Sequence, residues 1–156
     1  MKGFKGSTPL LLLLLAACPG DREGAGGVPE QAPEQVGPQE TAIEAVGGGE
    51  ISGQVRVTAT QDGGSEVHVS VTGAEPNMHL SARLHEGSCE AQGEVVSYLT
   101  GMTLDGAGQA SSTTRISSPP GRIGDGAHVV VIFAGLMGQS QEVLACAQVP
   151  RGSPAR

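Results

Sequence analysis

From Ile51 to Val149 apolar residues recur at every second position, and turn residues interrupt them at short intervals. That period belongs to strands with one buried face, and it leaves little room for a helix. Ile51, Gly53, Val55, Val57 and Ala59 share one face, while Gln54, Arg56 and Thr58 share the other. Gln61-Asp62-Gly63-Gly64 has hairpin-turn chemistry. Val67, Val69 and Val71 then alternate with His68, Ser70 and Thr72. Met78, Leu80, Ala82 and Leu84 alternate with His79, Ser81, Arg83 and His85. Further strands are expected over 95–104, 109–116, 128–133 and 142–149. The run from His128 to Phe133 is continuously apolar, which marks a central strand. About seven or eight short strands with frequent turns specify an all-β domain, an antiparallel sandwich or flattened barrel.

Such a domain must be built almost without rings. The chain has no Trp, one Tyr and two Phe, and Phe4 lies near the N-terminus, leaving Tyr98 and Phe133. A small core of Val, Ile, Leu, Ala and Met is marginal, and a covalent staple would help it. Three cysteines are present: Cys18, Cys89 and Cys146.

Lys2 and Lys5 precede six leucines, Leu10 to Leu15, and then Ala16, Ala17 and Cys18. A charged start, a short apolar run and small residues form a signal peptide over residues 1–17. The apolar run falls well short of the roughly 20 residues that span a bilayer. Leu15-Ala16-Ala17-Cys18 resembles the lipobox of bacterial lipoproteins. The resemblance implies cleavage before Cys18 and acylation of its thiol with chains such as palmitate. The partner is then membrane lipid, and the place is the extracytoplasmic side of a bacterial envelope. Pro19, where some two-membrane bacteria place an inner-membrane retention aspartate, is compatible with the outer membrane. An ordinary secretory signal with an incidental cysteine is the alternative. With Cys18 given to lipid, Cys89 and Cys146 remain in an oxidising compartment, which favours a disulfide between them. Two buried thiols, or a bond to another chain, are the other outcomes.

Residues 18–48 read as an acidic Gly/Pro linker with almost no large apolar residue, unable to offset its ordering entropy. A short helix near Glu40–Val46 is the one local structure it allows. The domain is expected over 49–150, and 151–156 as a disordered tail. Losing Lys2 and Lys5 takes the net charge from −7 to about −9. Such a chain repels nucleic acid and anionic lipid head groups, so attachment rests on acyl chains. The sequence names no protein partner, and a homodimer is open to it.

Several local motifs, in order, resemble the Cu/Zn superoxide dismutase fold, an eight-stranded Greek-key barrel. They are Gly53-Gln54-Val55, Val67 to Gly73, Arg83-Leu84-His85-Glu86-Gly87-Ser88-Cys89, Leu104-Asp105-Gly106-Ala107-Gly108 and Leu144-Ala145-Cys146-Ala147. The resemblance places Cys89 and Cys146 at that family's disulfide. It also implies copper held by four histidines, with zinc beside it, and here the ligands are largely missing. Arg83 stands at the first position of the family's His-x-His pair, and His85 matches the second. The ligand near the end of the seventh strand falls at Ile132 or Phe133, the zinc loop has no counterpart, and Val143 replaces the arginine that guides superoxide. The two metals need six histidines, and this chain has four: His68, His79, His85 and His128. A chordin-type repeat domain is a second family with similarly spaced strands.

His79 and His85 alternate onto one face with Arg83 between them. With a carboxylate such as Glu86 they form the one candidate copper or zinc site. The plainer reading makes them solvated residues on an outer face. No Gly-x-Ser-x-Gly elbow, phosphate-cradling loop or aromatic platform is present. The expected protein is a lipid-anchored module with a dismutase-like barrel, no catalytic residues and a structural or interaction role. A metal-binding or residual redox protein is the alternative.

Overall fold

The computed structural model describes residues 39–137, 139 and 142–151. Its strands are β1 (Gln39–Ala45), β2 (Ser52–Ala59), β3 (Ser65–Thr72), β4 (His79–Gly87), β5 (Gln92–Tyr98), β6 (Met102–Thr103), β7 (Gln109–Ile116), β8 (His128–Ala134) and β9 (Val143–Gln148). One short helix, α1 (Pro120–Ile123), lies between β7 and β8. Eight strands form one curled antiparallel sheet in the order β5-β4-β8-β9-β1-β2-β3-β7, and β6 pairs with β4. The chain leaves β3, builds β4 to β6 on the opposite half, and returns as β7 beside β3, which is Greek-key connectivity. The all-β expectation holds.

The β2–β3 hairpin follows the alternation closely. It is in register from Ser52↔Thr72 to Ala59↔Ser65, with Val55, Val57, Val67, Val69 and Val71 buried. Gly53 sits where a Cβ would run into the Ser70 carbonyl, so the small residue lets the hairpin strands close up. Leu80, Ala82 and Leu84 of β4, Val130 and Ile132 of β8, and Ala145 and Ala147 of β9 face these valines across the core. Leu99, Met102, Leu104 and Ile123 complete it.

Three sequence expectations need correction. First, β1 occupies Gln39–Ala45, inside the stretch read as linker and where a short helix was allowed. Its residues alternate inward and outward, with Ile43 buried between exposed Ala42 and Glu44. The strand forms because β2 on one side and β9 on the other satisfy its backbone, which outweighs its weak apolar content. Second, the strand expected over 95–104 is broken: Leu99 turns into the core and Gly101 follows, which separates β5 from β6. Third, the stretch between the strands expected over 109–116 and 128–133 holds a short helix, α1, which buries Pro120 and Ile123. The signal peptide, Cys18 and most of the linker, and residues 152–156, lie outside the described residues.

β8 is buried on both faces, as its continuous apolar run requires. Its outward residues Val129, Val131 and Phe133 join Cys146 in a second apolar cluster, against which Cys89 and Val143 pack. Cys89 is bonded to Cys146, with Cα atoms 5.9 Å apart. The bond ties the loop after β4 over the outer face of β8 and β9. Gly87 opens that loop at φ 101°, where a Cβ would meet the Ala91 carbonyl. Its N–H donates to Ala127 O at 2.7 Å.

The bond spans 57 residues of sequence. Cys146→Ser is expected to cost about 4 kcal/mol, through lost loop closure in the unfolded state. Urea unfolding of the variant and of the reduced parent chain checks this: both midpoints fall together.

Candidate functional site

The outer face of β4 carries Ser81, Arg83 and His85 in alternate positions, opposite Phe133, Val131 and Val129 of β8. Strand pleating puts these six side chains on one side of the sheet. Arg83 lies between the two rings of the domain. Its guanidinium carbon is 4.4 Å from the Phe133 ring centre and 5.7 Å from that of Tyr98 on β5. Cation–π attraction to each ring is worth about 0.5–2 kcal/mol. Among the described residues Arg83 forms no ion pair, and its Nε is buried without a hydrogen-bond partner.

His85 is buried, not solvated. The loop that Cys89 holds down and the Phe133 ring, 6.2 Å away between centres, close over it. Its Nδ1 lies 3.0 Å from Gly93 O. A carbonyl only accepts, so Nδ1 carries a proton and donates, and in the neutral ring Nε2 is then the lone pair. That Nε2 is buried without a partner, and so is Ser81 Oγ. Unpaired buried polar atoms cost about 1–3 kcal/mol each, so three in one row mark the face as unusual.

The other histidines are engaged elsewhere. His79 Nδ1 is 2.8 Å from Thr103 Oγ1, and His68 Nδ1 is 3.0 Å from Thr113 Oγ1. His128 Nδ1 is 2.9 Å from Asp125 Oδ1. Burial raises the Asp125 pKa, but the Ala127 N–H and the His128 ring outweigh it and hold the carboxyl below its ordinary value. His79 and His85 share a face of β4 but stand six residues apart, about 20 Å along a strand. They cannot hold one ion, and the expected His79/His85 site is withdrawn.

Among the described residues the donors around His85 fall short of a complete copper or zinc set. A usable site needs about three ligands at bonding distance. His85 is the single imidazole in its patch, and a guanidinium occupies the next alternate position. Among the described residues no group of three or more His, Cys, Asp or Glu comes together. Of the two candidates for the last ligand position, Phe133 shares the His85 face and Ile132 points into the core.

No family model matches the chain, and no curated protein matches it in sequence. Solved structures do match. A SOD-like protein from Bacillus subtilis superposes with a TM-score of 0.54 at 15% identity, covering 73% of this chain and 99% of that one. Cu/Zn superoxide dismutase from Brucella abortus gives 0.53 at 16% identity, covering 72% and 99%. The fold is that of the Cu/Zn superoxide dismutases. At these identities the likeness is one of fold, and the dismutase-like barrel here carries its own side chains on the outer face of β4 and β8.

Sequence reasoning identified Arg83 only as a lost ligand, and missed what it touches. The available signal was the scarcity of rings: Tyr98 and Phe133 are the two aromatics beyond Phe4, and both contact Arg83. Phe133→Ala is expected to lower stability by about 3–5 kcal/mol, because the ring fills the outer cluster and supports the guanidinium. Phe133→Leu should lose less than half of that. Chemical denaturation of the two variants checks the ranking.

Proposed function

We propose that this protein is a lipid-anchored, extracytoplasmic module whose dismutase-like barrel serves a structural or interaction role at the bacterial envelope and does not dismutate superoxide. Arg83 carries the reading. Its guanidinium, set between Phe133 and Tyr98, stands at the position where the resemblance calls for a copper-binding imidazole. A fixed positive charge there opposes a metal cation. The envelope location rests on the Lys2-to-Cys18 signal and its lipobox resemblance. The likeness to the Bacillus subtilis SOD-like protein and the Brucella abortus enzyme supports the barrel alone.

A second reading, copper or zinc binding, draws on the bare Nε2 of His85. Loading the folded chain with copper and zinc, followed by metal analysis and a superoxide assay, separates the two. The expected result is substoichiometric metal and no superoxide removal. Stoichiometric metal that disappears in His85→Ala supports the second reading, and superoxide removal by the loaded chain overturns the first.

Cys18→Ser tests the anchor independently. The variant is expected in the soluble extracytoplasmic fraction, with the parent chain in the membrane fraction. A variant that stays with the membrane removes the acyl-chain argument.

A further inference from the structure

The proposed interaction role leaves open what the outer face would hold. Arg83 is a half-buried cation with no carboxylate partner among the described residues. Guanidinium has five donors and no acceptor, so it asks for an anion. The rings on either side fix its orientation, and Ser81 Oγ and His85 Nε2 flank it in the same row without partners.

Beside this row, β5 ends the sheet. One of its edges pairs with β4, and no described strand pairs with the other. The strand exposes Val95, Val96 and Tyr98, three of the six large hydrophobics exposed among the described residues. An open edge with exposed β-branched and aromatic residues is where an extended chain can add as a further strand. A strand added there would lie about 9.6 Å from β4, two inter-strand spacings. Tyr98 is directly opposite Arg83 in register. An acidic side chain on the added strand that points to the Arg83 side of the sheet faces the guanidinium across Tyr98.

The charge on the ligand follows as well. The chain carries a net −7, so nucleic acid, phosphate and anionic lipid are repelled at long range. A single carboxylate matches one planar guanidinium with the least repulsion. We propose that the Arg83 face and the open edge of β5 together dock an extended polypeptide segment of a partner protein, which presents one Asp or Glu carboxylate to Arg83. The proposal rests on the interaction-module reading and names its partner by chemistry.

Tyr98 is the one tyrosine and the chain has no Trp, so intrinsic emission reports this site directly. The full chain is titrated with acetyl-Thr-Val-Glu-Val-Thr-amide, with the same peptide carrying Gln for Glu, and with acetate. The expected result is saturable change with the Glu peptide, at least about tenfold weaker binding of the Gln peptide, and acetate weaker than both. In Arg83→Gln the two peptides should bind alike. Arg83→Lys keeps the charge without the fork and should retain a reduced preference for Glu, which guards against a misfolded Gln variant. No saturation with the Glu peptide, or equal binding of both peptides to the parent chain, overturns the proposal. Acetate binding as tightly as the peptide also overturns it, in favour of a small-carboxylate site. So does a change on concentrating the chain alone, accompanied by dimer in sedimentation, which assigns the edge to a second copy. Copper titration of the same sample is read separately, so a metal-binding chain and a failed docking surface give different results.

Discussion

The bond between Cys89 and Cys146 makes a second apolar layer in a domain that has almost no rings to build one. The inner core is ordinary: alternating Val, Leu, Ile and Ala from the two halves of a curled sheet. On the outer face, Val129, Val131 and Phe133 would meet water if nothing covered them. The loop after β4 covers them, and it is held by a covalent link to β9. Cys89 of that loop packs against the cluster on the outer face of β8, while Phe133 lies under the Arg83 guanidinium.

What the sequence made legible was whatever local chemistry settles. The β2–β3 hairpin follows from alternating valines and a Gly-rich turn, and β7 occupies Gln109–Ile116, the stretch expected as a strand from its richness in Ser and Thr. The double burial of β8 was legible because a run without polar residues has no face for water. β1 was not legible, since Gln39-Glu40-Thr41-Ala42-Ile43-Glu44-Ala45 has a single large apolar residue and gains its order from neighbours distant in sequence. The break at Leu99 escaped notice for a related reason. Apolar residues on both sides of it suit one long strand equally well, and only the core decides that Leu99 turns inward.

The outer face shows the same division. Alternation placed Ser81, Arg83 and His85 on one side of β4, and the structure keeps them there. Alternation could not tell that His79, in the same set, lies too far along the strand to cooperate with His85. Nor could it tell that a loop would take His85 out of water. A pattern of period two fixes sides, while distance along the strand and cover from elsewhere decide what a side can do. The result is a dismutase-like frame whose outer face holds a cation between rings, with the unpaired atoms of Ser81 and His85 beside it.

The link between residues 89 and 146 also has a consequence for biogenesis. While both sulfurs remain thiols, the flap over β8 is held only by weak contacts, and its valines and Phe133 are prone to adhere to other chains. A molecule kept in its reduced form would therefore stay sticky and open to proteases. Oxidation of the two thiols is then the step that commits the polypeptide to its finished form.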